Sequence, residues 1–388
     1  MVDVAAFMHQ QFVERSPFAR LRAMAVYLSA ISEVVFSVLL KHCRSVREDI
    51  LVTDSFSAAL RSMFDEMKAA PAEMQPSKFW QDLNRRHAER TASSGIANFK
   101  RTLAKDYFTW MRVLPWDPQI RFLVGHLPLA ASLRAALGVL SPFKHRHIPL
   151  LEGFALNFLT RLVWQYAEQE FPEEIAALSE PSIGNPPAIR IGGGIVSQDL
   201  ANSILEYKSI EPVAAGTICE LGGGYGRTAF VIASLRPTVR YIMVDIPPAL
   251  GVAQEYLCQV FPDRKHFRFR PFDDFETVRE EFEASALAFL LPHQLSLLPD
   301  STVDLFINIS SLHEMRIDQI ECYLSEIYRL VRPEGHFYLK AWKVSKVPFE
   351  GIIIREGDYP LERWHRVYRR LPKVQSSFFE TLLRKPKN

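Results

Sequence analysis

Two textures divide the chain. Up to about residue 178, apolar side chains recur at three- and four-residue steps, the period of a helix with one buried face. From Leu150 to Tyr166, the residues Leu151, Phe154, Phe158, Leu162 and Tyr166 make one such stripe. From Asn98 through Met111, Phe99, Leu103 and Phe108, with Tyr107 and Trp110 close by, oppose Lys100, Arg101, Lys105 and Asp106. Stripes of this kind read as core packing before they read as a substrate pocket. The most apolar early stretch, Ala23 to Leu40, is interrupted by Ser29, Ser32, Glu33 and Ser37. It falls short of the ~20 apolar residues a membrane span needs and reads as a buried amphipathic helix.

A break at Ser179 to Ala188, rich in proline and glycine, ends the helical half. The glycines Gly192, Gly193 and Gly194 follow, then Ser197, Gln198, Asp199 and Leu200, which carry the signature of a helix start for a run ending near Tyr207. Beyond about 213, short apolar runs alternate with helical patterns. Strands are expected at Thr217 to Leu221, Arg240 to Asp245, Ala286 to Leu291, Val303 to Ile309 and Gly335 to Lys340. The clearest helix begins at Asp318, places Ile320, Tyr323, Leu324, Ile327, Leu330 and Val331 on one face, and stops at Pro333 and Gly335. Alternation of this kind implies an open, mostly parallel α/β sheet, with Phe378 to Leu383 suited to an added edge strand. The expected organisation is a helical domain over residues 1–190 and an α/β domain over 191–388.

Composition narrows the function only by exclusion. The 388 residues exceed what one core usually serves. With 48% hydrophobic and 23% charged residues the chain is too apolar for disorder, and a net charge of +2 gives no case for nucleic acid. Cys43, Cys219, Cys258 and Cys322 are scattered, which reads as reduced, mostly buried thiols of a cytoplasmic protein. The amino terminus shows no secretory pattern, and no membrane span is expected.

The chemistry concentrates in Glu220-Leu221-Gly222-Gly223-Gly224-Tyr225-Gly226-Arg227, between an expected strand and a helix. Glycines there permit a tight turn and bring backbone amides against a ligand. The segment Gly224 to Ala229 satisfies a dinucleotide G-x-G-x-x-A, while Glu220, Gly222, Gly224 and Gly226 satisfy the E-x-G-x-G-x-G of a methyltransferase. Asp245, ending the next strand before Ile246, suits the ribose hydroxyls of either ligand. Glu220 discriminates: a carboxylate there favours the ammonium of S-adenosylmethionine and repels a pyrophosphate. S-adenosylmethionine is therefore the expected cofactor. The remaining strand ends bring His293 and Gln294 toward an adenine and Asn308 to Glu314 toward the transferring methyl.

At these residues the sequence resembles the putative sugar O-methyltransferases of bacteria. The likeness is carried by Ser197-Gln198-Asp199, the Glu220 to Gly226 loop, Leu290 to Gln294, Asn308 to Met315 and the tail from Gln375 to Glu380. The resemblance implies a Rossmann-like class I methyltransferase fold behind an N-terminal all-α domain, S-adenosylmethionine as donor and a sugar-like small-molecule acceptor. It covers the last 190 or so residues well and the first half loosely, and it leaves a homo-oligomer open.

Methyl transfer to oxygen asks for positioning and a base. His313 is the expected general base, with Glu314 supporting it or binding acceptor; the alternative is that both cap the helix that follows. His145, Arg146 and His147 read as a solvated turn. Asp273 and Asp274 read as turn residues, so no metal is expected. Lys340, Trp342 and Lys343 are candidates for the acceptor side. The competing functions are an NAD-dependent sugar oxidoreductase or epimerase and a non-catalytic scaffold with a methyltransferase-like fold.

Overall fold

The computed structural model describes residues 54–103, 122–123, 125, 150–191, 194–347, 350–372, 374–375 and 377–387. The helix expected at Ala23 to Leu40, the stripe beyond Leu103, the cluster at His145 to His147, Cys43, Gly192 and Gly193 lie outside the described residues. In the first half the longer helices are α1 (Asp54–Ala69), α2 (Lys78–Ser94) and α3 (Leu150–Glu170). Across the expected break the chain forms a hairpin of β1 (Ala188–Ile191) and β2 (Gly194–Ser197), paired antiparallel. Helix α4 (Gln198–Ile210) then starts where the sequence places it, since the Ser197 Oγ accepts the Leu200 N–H at 3.0 Å.

The α/β part runs β3 (Thr217–Leu221), α5 (Arg227–Leu235), β4 (Arg240–Val244), α6 (Ala249–Val260), β5 (His266–Phe267), β6 (Leu287–Leu290), β7 (Val303–Ile309), α7 (Ile317–Leu330) and β8 (Val331–Trp342). A small hairpin, β9 (Val344–Lys346) with β10 (Ile353–Arg355), precedes β11 (His365–Arg370) and β12 (Phe378–Arg384). The eight-stranded sheet has the order β11-β12-β8-β7-β3-β4-β6-β5. The pairs β3/β4, β4/β6, β6/β5, β3/β7 and β7/β8 are parallel, and β12 runs antiparallel between β8 and β11. The chain moves outward from β3 through β4 and β6, then returns to the other side of β3 as β7. That reversal opens a crevice beyond the strand ends.

One expectation needs correction. Phe378 to Leu383 does not form the sheet edge: it lies inside the sheet as β12, with Phe379 and Leu383 buried. The edge is β11, whose sequence His-Arg-Val-Tyr-Arg-Arg has too little apolar alternation to announce a strand.

Both faces of the sheet are covered, which is why the strands carry no polar alternation. Along β3, Ile218 joins one apolar cluster while Cys219 and Leu221 join the other. The second cluster is closed by Ile320, Leu324 and Ile327 of α7. The first takes in Ile204, Ile232 and Leu257 from α4, α5 and α6, and also Met63, Leu159 and Val163 from the first half. The helices before residue 190 therefore share a core with the sheet they precede.

Candidate active site

The crevice at the reversal point is built by the loop between β3 and α5. Gly222 has φ +76°, and a Cβ there would stand 2.2 Å from Ser311 Oγ. Only glycine accepts that close approach in that conformation. The loop is fastened from three sides. Its Gly222 N–H donates to Val244 O at 2.8 Å, and Asp245 Oδ2 accepts from the Gly224 N–H at 2.7 Å. Asn308 Nδ2 donates to Leu221 O at 2.9 Å while its Oδ1 accepts from the Leu312 N–H at 3.2 Å.

A cavity of about 90 Å³ is bounded by Glu220, Gly222, Gly224, Asp245, Ile246 and Glu314, with Ser310 and Ser311 from the end of β7. Its other wall comes from the first half: Met74, Ser77 and Trp80 lie over it, and Trp80 Nε1 donates to Glu314 Oε2 at 3.1 Å.

The cavity is acidic. Burial pushes the Glu220 carboxyl up to about 7, against the hydrogen bond it accepts from Tyr241 OH at 2.7 Å. Burial likewise pushes Asp245 up to about 7, although the Gly224 and Ile246 N–H groups favour its charge. Burial raises Glu314 to about 8, with Asp245 adding to the rise and the Trp80 bond opposing it. Arg227 also reaches the wall, but its guanidinium is engaged by Glu206 and by Ser203 Oγ at 2.7 Å. Such a site favours a ligand bearing positive charge and hydroxyl donors over one bearing phosphates.

Of the residues expected at the site, Glu220, Gly222, Gly224, Asp245, Ile246 and Glu314 meet in this cavity. The others do not line it. Gly226 is the left-handed N-cap of α5. Asn308 holds the loop from behind. Gln294 fastens its own segment, accepting from the Leu291 N–H and donating to Arg270 O, each at 2.9 Å. His293 turns toward α1, its Nε2 3.8 Å from Glu66 Oε2. His313 packs edge-on against the paired rings of Trp342 and Phe378, with centroids 6.3 Å away in each case. Burial drives its imidazole down to about 3. Its Nε2 stands 3.9 Å from Glu314 Oε1. Lys340 is buried too, donating to Glu206 Oε1 at 2.8 Å.

The wall from Met74 to Trp80 was not legible in the sequence, because nothing local links Trp80 to a turn 234 positions later. Asp274 caps a turn by accepting the Glu276 N–H at 3.0 Å. Among the described residues, no group of three or more His, Cys, Asp or Glu is placed to hold a metal ion. Among them, too, no helix is long and apolar enough to cross a membrane.

No protein-family model matches the chain, and no curated protein matches it. Solved structures are similar over about half of the chain. The 1,6-didemethyltoxoflavin-N1-methyltransferase of Burkholderia thailandensis, with bound 1,6-didemethyltoxoflavin and S-adenosylhomocysteine, is 17% identical over 49% of this chain and 79% of its own, at a TM-score of 0.35. A SAM-dependent methyltransferase of Aquifex aeolicus is 15% identical over 46% of this chain and 88% of its own, at 0.30. A SAM-dependent methyltransferase of Leishmania major is 12% identical over 48% and 71%, at 0.35.

Proposed function

We propose that this chain is an S-adenosylmethionine-dependent methyltransferase that acts on a hydroxyl of a small, sugar-like molecule. The observation that carries the reading is the convergence of the Glu220, Asp245 and Glu314 carboxyls on one glycine loop where Arg227, the lining cation among the described residues, is already engaged by Glu206. When bound, S-adenosylmethionine supplies an electrophilic methyl on a sulfonium, together with an ammonium and ribose hydroxyls. Glu220 answers the ammonium. Asp245 answers the ribose by exchanging its bond from the Gly224 N–H for hydroxyl donors. The open space beside Gly224, which a side chain there would enter, lets the backbone approach. A dinucleotide pyrophosphate would meet these same carboxyls and be repelled.

Glu314 takes the acceptor's proton. A positive ligand beside it lowers its pKa from about 8 toward neutrality, where a base works best at physiological pH. His313, shut behind it with a pKa near 3, stays neutral and positions the turn. The sugar-like acceptor follows from the resemblance in the Glu220 to Gly226, Leu290 to Gln294 and Asn308 to Met315 segments. The first half, residues 1–190, acts as cover and acceptor-selecting domain, and residues 191–388 as the cofactor domain; the Met74 to Trp80 wall supports that division.

Calorimetry with S-adenosylmethionine and with NAD on the full chain and on Glu220→Ala tests the reading. S-adenosylmethionine binding that the variant weakens at least tenfold supports it. Binding of NAD alone would put the oxidoreductase in its place, and binding of neither would favour a non-catalytic scaffold.

A further inference from the structure

A second cavity lies away from the glycine loop, on the face of the sheet covered by α3 and α4. It holds about 260 Å³, far above the roughly 10–15 Å³ that one water requires. Its walls come from α3, α4, the end of β8 and the segment after β11. Two of its side chains are amides buried without partners among the described residues. Asn202 is 3% exposed and its Nδ2 has no acceptor; Gln375 is 6% exposed, and both its Nε2 and Oε1 are unpaired. Leaving such groups unmatched is costly, so buried amides are ordinarily satisfied by protein, water or ligand.

The cations lining the cavity, Lys208, Lys340 and Arg370, are by contrast already matched. Lys208 donates to Glu174 at 2.8 Å and also to Glu211. Lys340 donates to Glu206 at 2.8 Å, and Arg370 to Glu380 at 2.5 Å. An anion would have to break one of these pairs. A neutral molecule offering both hydrogen-bond donors and acceptors breaks none.

We infer that this cavity is a second small-molecule site, which takes a neutral polyhydroxylated compound of about monosaccharide size held by Asn202 and Gln375. It is separated from the acidic cavity by one ion group. Glu206 binds Arg227, which lines the acidic cavity, and Lys340, which lines this one. A compound seated here therefore abuts Lys340, which shares the Glu206 carboxylate with the first residue of α5.

Ligand-observed saturation-transfer NMR on the full chain tests the site, with methyl α-D-glucopyranoside and N-acetylglucosamine as neutral probes and glucose 1-phosphate as the charged one. The expected result is transfer to at least one neutral probe that glucose 1-phosphate does not displace. Asn202→Leu and Gln375→Leu should each weaken it at least tenfold, with S-adenosylmethionine affinity, measured separately, within threefold of the parent. No transfer to either neutral probe, preferential binding of the phosphate, or transfer unchanged in both variants would overturn the inference. Because a sugar could also enter the acidic cavity, Glu314→Gln serves as the second variant: neutral-probe transfer that persists in it supports the second cavity, and transfer lost with it would overturn the inference. A methyltransferase reading that failed would show as lost S-adenosylmethionine binding with neutral-probe binding intact.

Discussion

Trp80 Nε1 donates to Glu314 Oε2 at 3.1 Å, joining a helix of the first half to the turn that follows β7. The bond places a first-half residue on the carboxylate nearest the expected methyl-transfer point, and it favours that carboxylate's charged form. Removing it therefore has a definite sign. Trp80→Phe should raise the Glu314 pKa further and move the rising limb of the pH–rate profile to higher pH. A profile that does not move would mean that Glu314 is not the titrating group.

The ligand site should also be linked to protons. In the free protein Glu220 and Asp245 sit near 7 and Glu314 near 8, so each is partly protonated at neutral pH. A cationic ligand lowers these values, so binding releases protons and affinity rises with pH until it levels off above about 8. Calorimetry at pH 7 in buffers of different ionisation enthalpy should show proton release. Proton uptake would contradict the acidic-site account.

The two candidate catalytic groups separate cleanly. Glu314→Gln should lower kcat by roughly 10²–10⁴-fold, the usual contribution of a general base. His313→Phe fills the same aromatic nest beside Trp342 and Phe378 and should keep turnover within about threefold. The reverse ranking in single-turnover assays would return the base to His313.

Stability carries its own test. Glu206 is buried with Arg227 and Lys340, and although burial opposes its charge, those two cations hold its carboxyl down at about 2. Glu206→Gln strands two buried cations and should cost about 3–5 kcal/mol in denaturant unfolding. In the loop, Gly222→Ala should destabilise more than Gly224→Ala. Both glycines have positive φ, but only at Gly222 does a Cβ meet a neighbour, Ser311.

What the sequence made legible follows from where its information is local. Strands β3 and β7 match the expected Thr217 to Leu221 and Val303 to Ile309, because runs buried on both faces are apolar at most steps. The Ser197 cap and the glycine loop were legible for the same reason: each is a short-range chemical requirement. Strand β11 was not, since its polar residues can sit at an edge without any apolar signature. The place of β12 depends on which strand docks outside it, and no residue of Phe378 to Leu383 encodes that. At the site, Glu220 and Asp245 were legible from their spacing around the loop. His313 and Glu314 are neighbours in sequence, yet one faces an aromatic nest and the other the cavity. That choice is made by the turn containing Leu312, His313 and Glu314, whose direction sequence alone does not set.

The most direct measurement is calorimetric titration of the full chain with S-adenosylmethionine at pH 7, alongside Asp245→Asn and Glu220→Ala. The account predicts binding to the parent chain and at least tenfold weaker binding to each variant. Binding that survives both substitutions unchanged, or no binding to the parent chain, would contradict the assignment of this acidic glycine-loop cavity as the methyl-donor site.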